Sequence, residues 1–254
     1  MLKKVINFDA DEISLYESIR RNNSTPDAAN ARNNFKSQVG KECYNLSFIY
    51  PVVLDTNEGD LLAKKLMNIQ NEIKKVIGDD HFYSTAKDLH MTFLAHTDKT
   101  TSLPEATQQE YRKMAEKVIL DEENLFRKQE IHFFGGCSTR DAVIIHGYDF
   151  AELNKSRLAT VFHSMRNGFF DEDMKLRYGN QIEKNMMISP NIAHMSLIYF
   201  KNYVGLEERQ KINELLSGQD FGKTIFSEVG LYEFFGFDGF SKGLPILSRR
   251  FSRP

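Results

Sequence analysis

Two short stretches of this chain carry the same chemistry-bearing pattern: LHMTFL at 89–94 and AHMSLI at 193–198, in a sequence of 254 residues with only seven histidines. Along an extended strand, residues i and i+2 point to one face. His90 therefore projects with Thr92, and His194 with Ser196, while Met91 and Met195 turn the other way into a core. Two imidazoles titrate close to neutrality, so one can serve as base while the other, protonated, serves as acid. The two hydroxyls can donate hydrogen bonds to the oxygens of a bound anion, and an imidazolium adds positive charge. A phosphodiester fits that equipment, a strained cyclic one especially. One His would activate the attacking water or hydroxyl, the other would protonate the leaving oxygen, and Thr92 and Ser196 would bind the phosphate. A lone His in an apolar strand is ordinarily a packed residue. Duplication of the whole pattern, ahead of an amphipathic helix each time, argues for one composite active site.

The elements that must hold these residues are visible around them. YNLSFIYPVVL (44–54) has the aromatic and β-branched content of a strand, and LLAKKLMNIQNEIKKVIG (61–78) has apolar residues at helical spacing with Gly78 as its C-cap. The first motif strand follows, then a helix over TQQEYRKMAEKVILDEEN. EIHFFGGCSTRDAVIIHGYDF is expected to form a hairpin turning at Thr139–Asp141, with the glycine pair 135–136 at a strand end. AELNKSRLATVFHSMRN is expected to be a helix with Leu158, Val161, Phe162 and Met165 on its buried face. An irregular stretch at 167–190 leads to the second motif strand, a helix closed by Gly218, a last strand in SEVGLYEFFGF and a basic tail. The order implies an α+β fold with an approximate internal duplication: two similar sheet-plus-helix lobes around a central cleft. Residues 1–40 read as an N-terminal extension, with a short helix in DADEISLYESI, and 41–254 as a single bilobal domain.

The motifs His90-Met91-Thr92-Phe93 and His194-Met195-Ser196-Leu197 resemble those of the 2H phosphoesterases, bilobal enzymes named for two His-x-Thr/Ser motifs on strands that line a cleft. The resemblance covers about 40–245, including the early strand, the hairpin and the late strand VGLYEFF. It implies metal-independent phosphodiester chemistry without a cofactor: opening of a cyclic nucleotide phosphate such as a 2′,3′-cyclic one, or cleavage of 2′–5′ or 3′–5′ links in short oligonucleotides. By that analogy His90 and His194 are the acid/base pair, and either can be the base.

Around the motifs, His96 and Tyr199 are possible substrate contacts, His96 at the strand's rim and Tyr199 as a surface on which a base stacks. His81, His132, His146 and His163 are scattered without metal-ligand spacing, so no metal site is expected. GQDFGKT (218–224) imitates a phosphate-binding loop but has three residues between its glycines and follows a helix.

Lys and Arg total 33 against 35 Asp and Glu, a net charge of −2, which disfavours long nucleic acids as partners and leaves a small nucleotide or short oligonucleotide. Two cysteines, Cys43 and Cys137, fit reduced thiols of a cytoplasmic protein. No signal peptide and no membrane span is expected. Oligomeric state is left open. The rival reading is a non-catalytic nucleotide-binding, RNA-binding or protein-interaction module on the same fold.

Overall fold

The computed structural model describes residues 7–23, 44–95, 104–121, 125–166, 192–235 and 243–251. In chain order these form α1 (Ala10–Asn23), β1 (Tyr44–Pro51), α2 (Asn57–Ile77), β2 (Phe82–Tyr83), β3 (His90–Ala95), α3 (Glu105–Asp121), β4 (Gln129–Ser138), β5 (Ala142–Tyr148), α4 (Ala151–Arg166), β6 (Ala193–Tyr199), α5 (Leu206–Leu216), β7 (Asp220–Phe226), β8 (Glu228–Phe235) and β9 (Leu244–Arg250). The fold is α+β. Nine strands join in one antiparallel sheet of order β7-β4-β5-β6-β3-β1-β8-β9, with the short β2 paired to β6.

The two expected lobes are the two halves of that sheet, β7-β4-β5-β6 and β3-β1-β8-β9, and the motif strands β6 and β3 meet at the seam. Each half lends a helix to the other. α2, which follows β1, packs on β7 and α5, whereas α4, which follows β5, packs on β3. Helix α2 forms where the sequence asks for it. The Thr56 hydroxyl accepts from the Gly59 N–H at 3.1 Å, Leu62, Leu66 and Ile73 are buried, and Gly78 ends the helix at φ +80°. Among the described residues no helix is long and apolar enough to cross a membrane.

The stretch that imitates a phosphate loop lies largely in β7, an edge strand on β4, in keeping with its rejection. Three expectations need correction. The expected basic tail begins inside a strand: Ser248–Arg250 are the end of β9, which pairs with β8 from Glu228↔Arg250 to Glu233↔Leu244. The glycine pair 135–136 lies inside β4, at a bulge where the register to both neighbours shifts and Gly135 adopts φ +63°. On α4 the buried face is Leu153, Arg157, Thr160, Val161 and Ser164, while Leu158 and Phe162 remain 38% and 48% exposed. An arginine occupies the place where hydrophobic periodicity put leucine, because backbone carbonyls of the neighbouring strand await it there. The irregular stretch 167–190 lies outside the described residues.

Candidate active site

His90 and His194 stand on adjacent strands and not on opposite walls of a cleft. β3 and β6 are antiparallel neighbours registered by the pair Met91↔Met195. Both methionines are fully buried, and the alternation on either side leaves His90, Thr92, His194 and Ser196 half-buried on the other face. Stepping one residue each way from that pair sets His90 beside Ser196 and Thr92 beside His194. The two histidines then lie on a diagonal, at a Cα separation of roughly 7–8 Å for such neighbours. Two imidazoles and two hydroxyls thus form one square patch at the seam.

Both rings are oriented through the chain just ahead of them. His90 Nδ1 donates to the Asp88 carbonyl at 2.7 Å, so Nδ1 carries the proton and Nε2 is left for chemistry. His194 makes the equivalent bond to the carbonyl of Ile192, also two residues upstream. The electrostatics differ. Burial pushes the His194 pKa down, the Arg157 guanidinium pushes it further and His90 adds to this, to about 4 against an ordinary 6.5. The His90 pKa is lowered by burial, but its bond to the Asp88 carbonyl and the negative charge of Asp88 oppose the shift.

Arg157 and Gln70, which sequence reasoning passed over, fasten the motif strands from behind. The fully buried Arg157 donates from Nε to the Phe93 carbonyl at 2.7 Å and from Nη2 to the Thr92 carbonyl at 2.8 Å. Its Nη1 reaches Asn154 Oδ1 at 3.2 Å and the Ile192 carbonyl at 3.3 Å, so one cation ties both motifs together. Gln70, on α2, donates from Nε2 to the carbonyls of Leu197 and Ser84, each at 2.9 Å. Phe93 and Leu197 are the corresponding fourth residues of the two motifs.

Among the secondary candidates, the Tyr199 side chain hydrogen-bonds Ser196, whereas His96 lies outside the described residues. His146, set aside with the scattered histidines, is the register partner of His194 on β5 and shares its face. Burial, then the neighbouring His194 and Arg20, pushes its pKa down to about 3, so it is neutral beside His194. The signal for it was a pairing between distant strands. Among the described residues no three His, Cys, Asp or Glu side chains converge as a metal site.

No protein-family model matches the chain, and no curated protein matches it in sequence. Among solved structures it is similar to TT0787 of Thermus thermophilus, with a TM-score of 0.48 and 12% identity over 81% of this chain and 97% of that one. It is also similar to LigT of Escherichia coli, with a TM-score of 0.46 and 10% identity over 84% of this chain and 100% of that one. Usb1 of Kluyveromyces marxianus matches with a TM-score of 0.42 and 13% identity over 81% of this chain and 99% of that one. What this chain does must be read from its own side chains.

Proposed function

We propose that the protein is a metal-independent phosphodiesterase acting on a cyclic nucleotide phosphate, such as a 2′,3′-cyclic one, or on a 2′–5′ or 3′–5′ link in a short oligonucleotide. The observation that carries the reading is the patch of His90, Thr92, His194 and Ser196 around the buried Met91–Met195 pair. In this scheme His194, kept neutral by burial and Arg157, accepts the proton of the attacking water or hydroxyl. His90, whose ring is anchored by Asp88, donates a proton to the leaving oxygen. Thr92 and Ser196 hold the phosphoryl oxygens, whose negative charge raises the pKa of both imidazoles once substrate is bound. The proton gained by one His and lost by the other is returned through solvent after each turnover.

Incubation with a panel of 2′,3′-cyclic nucleotides and 2′–5′ and 3′–5′ oligonucleotides, read by mass spectrometry in the presence of chelator, tests this directly. Ring-opened or shortened products that disappear in His90→Ala and His194→Ala support the proposal. Ligand binding with no product across the whole panel would make the chain a binding module instead.

A further inference from the structure

The helix α1 precedes the duplicated body, yet it packs on the sheet face that carries the patch of histidines and hydroxyls. His146 and His194 are register partners on β5 and β6, and the Tyr16 ring stacks on His146 with centroids 4.0 Å apart and planes within 14°. Two further contacts pin the helix. The Glu12 carboxylate accepts from the N–H groups of Asp149 (2.9 Å) and Phe150 (3.0 Å), just ahead of α4. Phe8, just ahead of α1, stacks on Tyr148 at 4.0 Å and 16° and meets His132 edge-on at 5.1 Å.

The contact that bears on the site is the buried Tyr16 hydroxyl. It lies between the carbonyls of Gly147 (2.6 Å) and Ala193, and accepts from the Gly147 N–H at 3.2 Å. Gly147 and Ala193 are themselves register partners, one step along from His146 and His194. Burial raises the pKa of the phenol, so it keeps the proton it donates. On the other side of β6, the Arg157 guanidinium spans the carbonyls of Thr92, Phe93 and Ile192. The two peptide carbonyls ahead of His194 are thus each met by a side chain from a helix: Ile192 by Arg157, Ala193 by Tyr16.

We infer that Tyr16 is a positioning residue for His194: through the Ala193 carbonyl and the ring of His146 it fixes where β6 presents the second imidazole. A buried carbonyl that loses its donor admits water or shifts to find another partner, and either response moves the residue that follows it. A reacting group displaced by about 1 Å costs up to 10²-fold in rate. The charged and titratable groups that act on His194 and its partner are Arg157 from α4, His90 from β3, His146 from β5 and, facing His146, Arg20 from α1. The inference deepens the phosphodiesterase reading and rests on it for turnover, but the state of the His194 ring can be followed without substrate.

The test uses the full chain and two variants: Tyr16→Phe, which removes the hydroxyl and keeps the ring, and Phe8→Leu, which loosens α1 where its contacts are rings of β4 and β5. Histidine titrations are followed by NMR, and kcat and KM are measured on the diester that the panel identifies. Tyr16→Phe is expected to lose about 10-fold in kcat with KM little changed. Its His194 midpoint should rise from about 4 toward 6.5, because burial is the main cause of the depression and water admitted at Ala193 relieves it. His90 should not move, and Phe8→Leu should leave both histidines and kcat as in the parent protein. If His194 responds in this way and no diester is cleaved, the positioning role stands and the phosphodiesterase reading falls. If Tyr16→Phe titrates and turns over like the parent, if Phe8→Leu reproduces its effects, or if His90 and His194 shift together, the positioning role is overturned. Diesters cleaved in any of those cases leave the phosphodiesterase reading intact.

Discussion

The two halves of the sheet repeat one plan but anchor it with different chemistry. In each, a helix lent by the other half sends one side chain to the carbonyl of the fourth motif residue. Behind Phe93 that side chain is the cation Arg157; behind Leu197 it is the neutral amide Gln70. Arg157 also reaches the Ile192 carbonyl, the acceptor that orients His194, and so places a buried charge at the second histidine and not the first. The halves also differ in what covers them. α1, through Tyr16 and Phe8, packs on the His194 side, whereas His90 has Pro51 as its register partner and Phe234 at a ring separation of 5.8 Å. A duplicated scaffold gives two histidines in equivalent places; both are lowered by burial, but only the second has a guanidinium beside it.

The largest effects should come from removing either imidazole. His90→Ala and His194→Ala are each expected to lose about 10²–10⁴-fold in turnover, measured on whichever diester the panel identifies. Equal severity would confirm that the reaction needs both halves. Thr92→Ala and Ser196→Ala should follow, with losses of about 10²-fold concentrated in kcat, because the hydroxyls act most on the transition state. A loss confined to KM would turn them into mere binding groups.

The next comparison concerns the anchors. Arg157→Gln withdraws donors from buried carbonyls on both motif strands, and each acceptor left unsatisfied costs about 1–3 kcal/mol. Gln70→Leu removes a donor from only two carbonyls, and that of Leu197 still accepts from the Ser84 N–H at 3.2 Å, so urea unfolding should rank the arginine variant as the less stable. Arg157→Gln should also move the acidic limb of the rate profile to higher pH, since it removes the charge that disfavours the His194 imidazolium. Gln70→Leu should leave that limb in place.

A smaller effect is expected in stability against pH. His194 and His146 have folded pKa values of about 4 and about 3, below the ordinary 6.5, so as pH falls the unfolded chain takes up protons first. Their contribution is complete above about 6.5 and is lost progressively down to about 3–4. Thermal melting at pH 7 and pH 4.5 should show that decline, and His146→Gln should make it shallower.

Much of the site was legible in the sequence because it rests on local alternation. Within one strand, His-Met-Thr and His-Met-Ser put the histidine and hydroxyl side chains on one face and the methionines on the other, and both methionines are buried partners. His146 escaped because its place is set by pairing between β5 and β6, whose sequences lie some fifty residues apart. Arg157 escaped because periodicity assigns charged residues to the outside of a helix, and only tertiary structure reveals the carbonyls that draw one in. β9 was hidden for a related reason: it is a short edge strand, LPILSRR, whose charged end masks it, and its ladder to β8 and the packing of Ile246 and Leu247 on the core are tertiary.

The claim that the halves are built alike but tuned apart is tested most directly by changing the leaving group. A ribonucleoside 3′-(4-nitrophenyl phosphate) expels nitrophenolate, which needs no proton, so loss of the general acid is masked while loss of the base is not. With His90 as acid and His194 as base, His90→Ala should recover most of its lost rate on this substrate and His194→Ala should remain inactive. Recovery of His194→Ala instead, or equal recovery of both variants, would contradict the account.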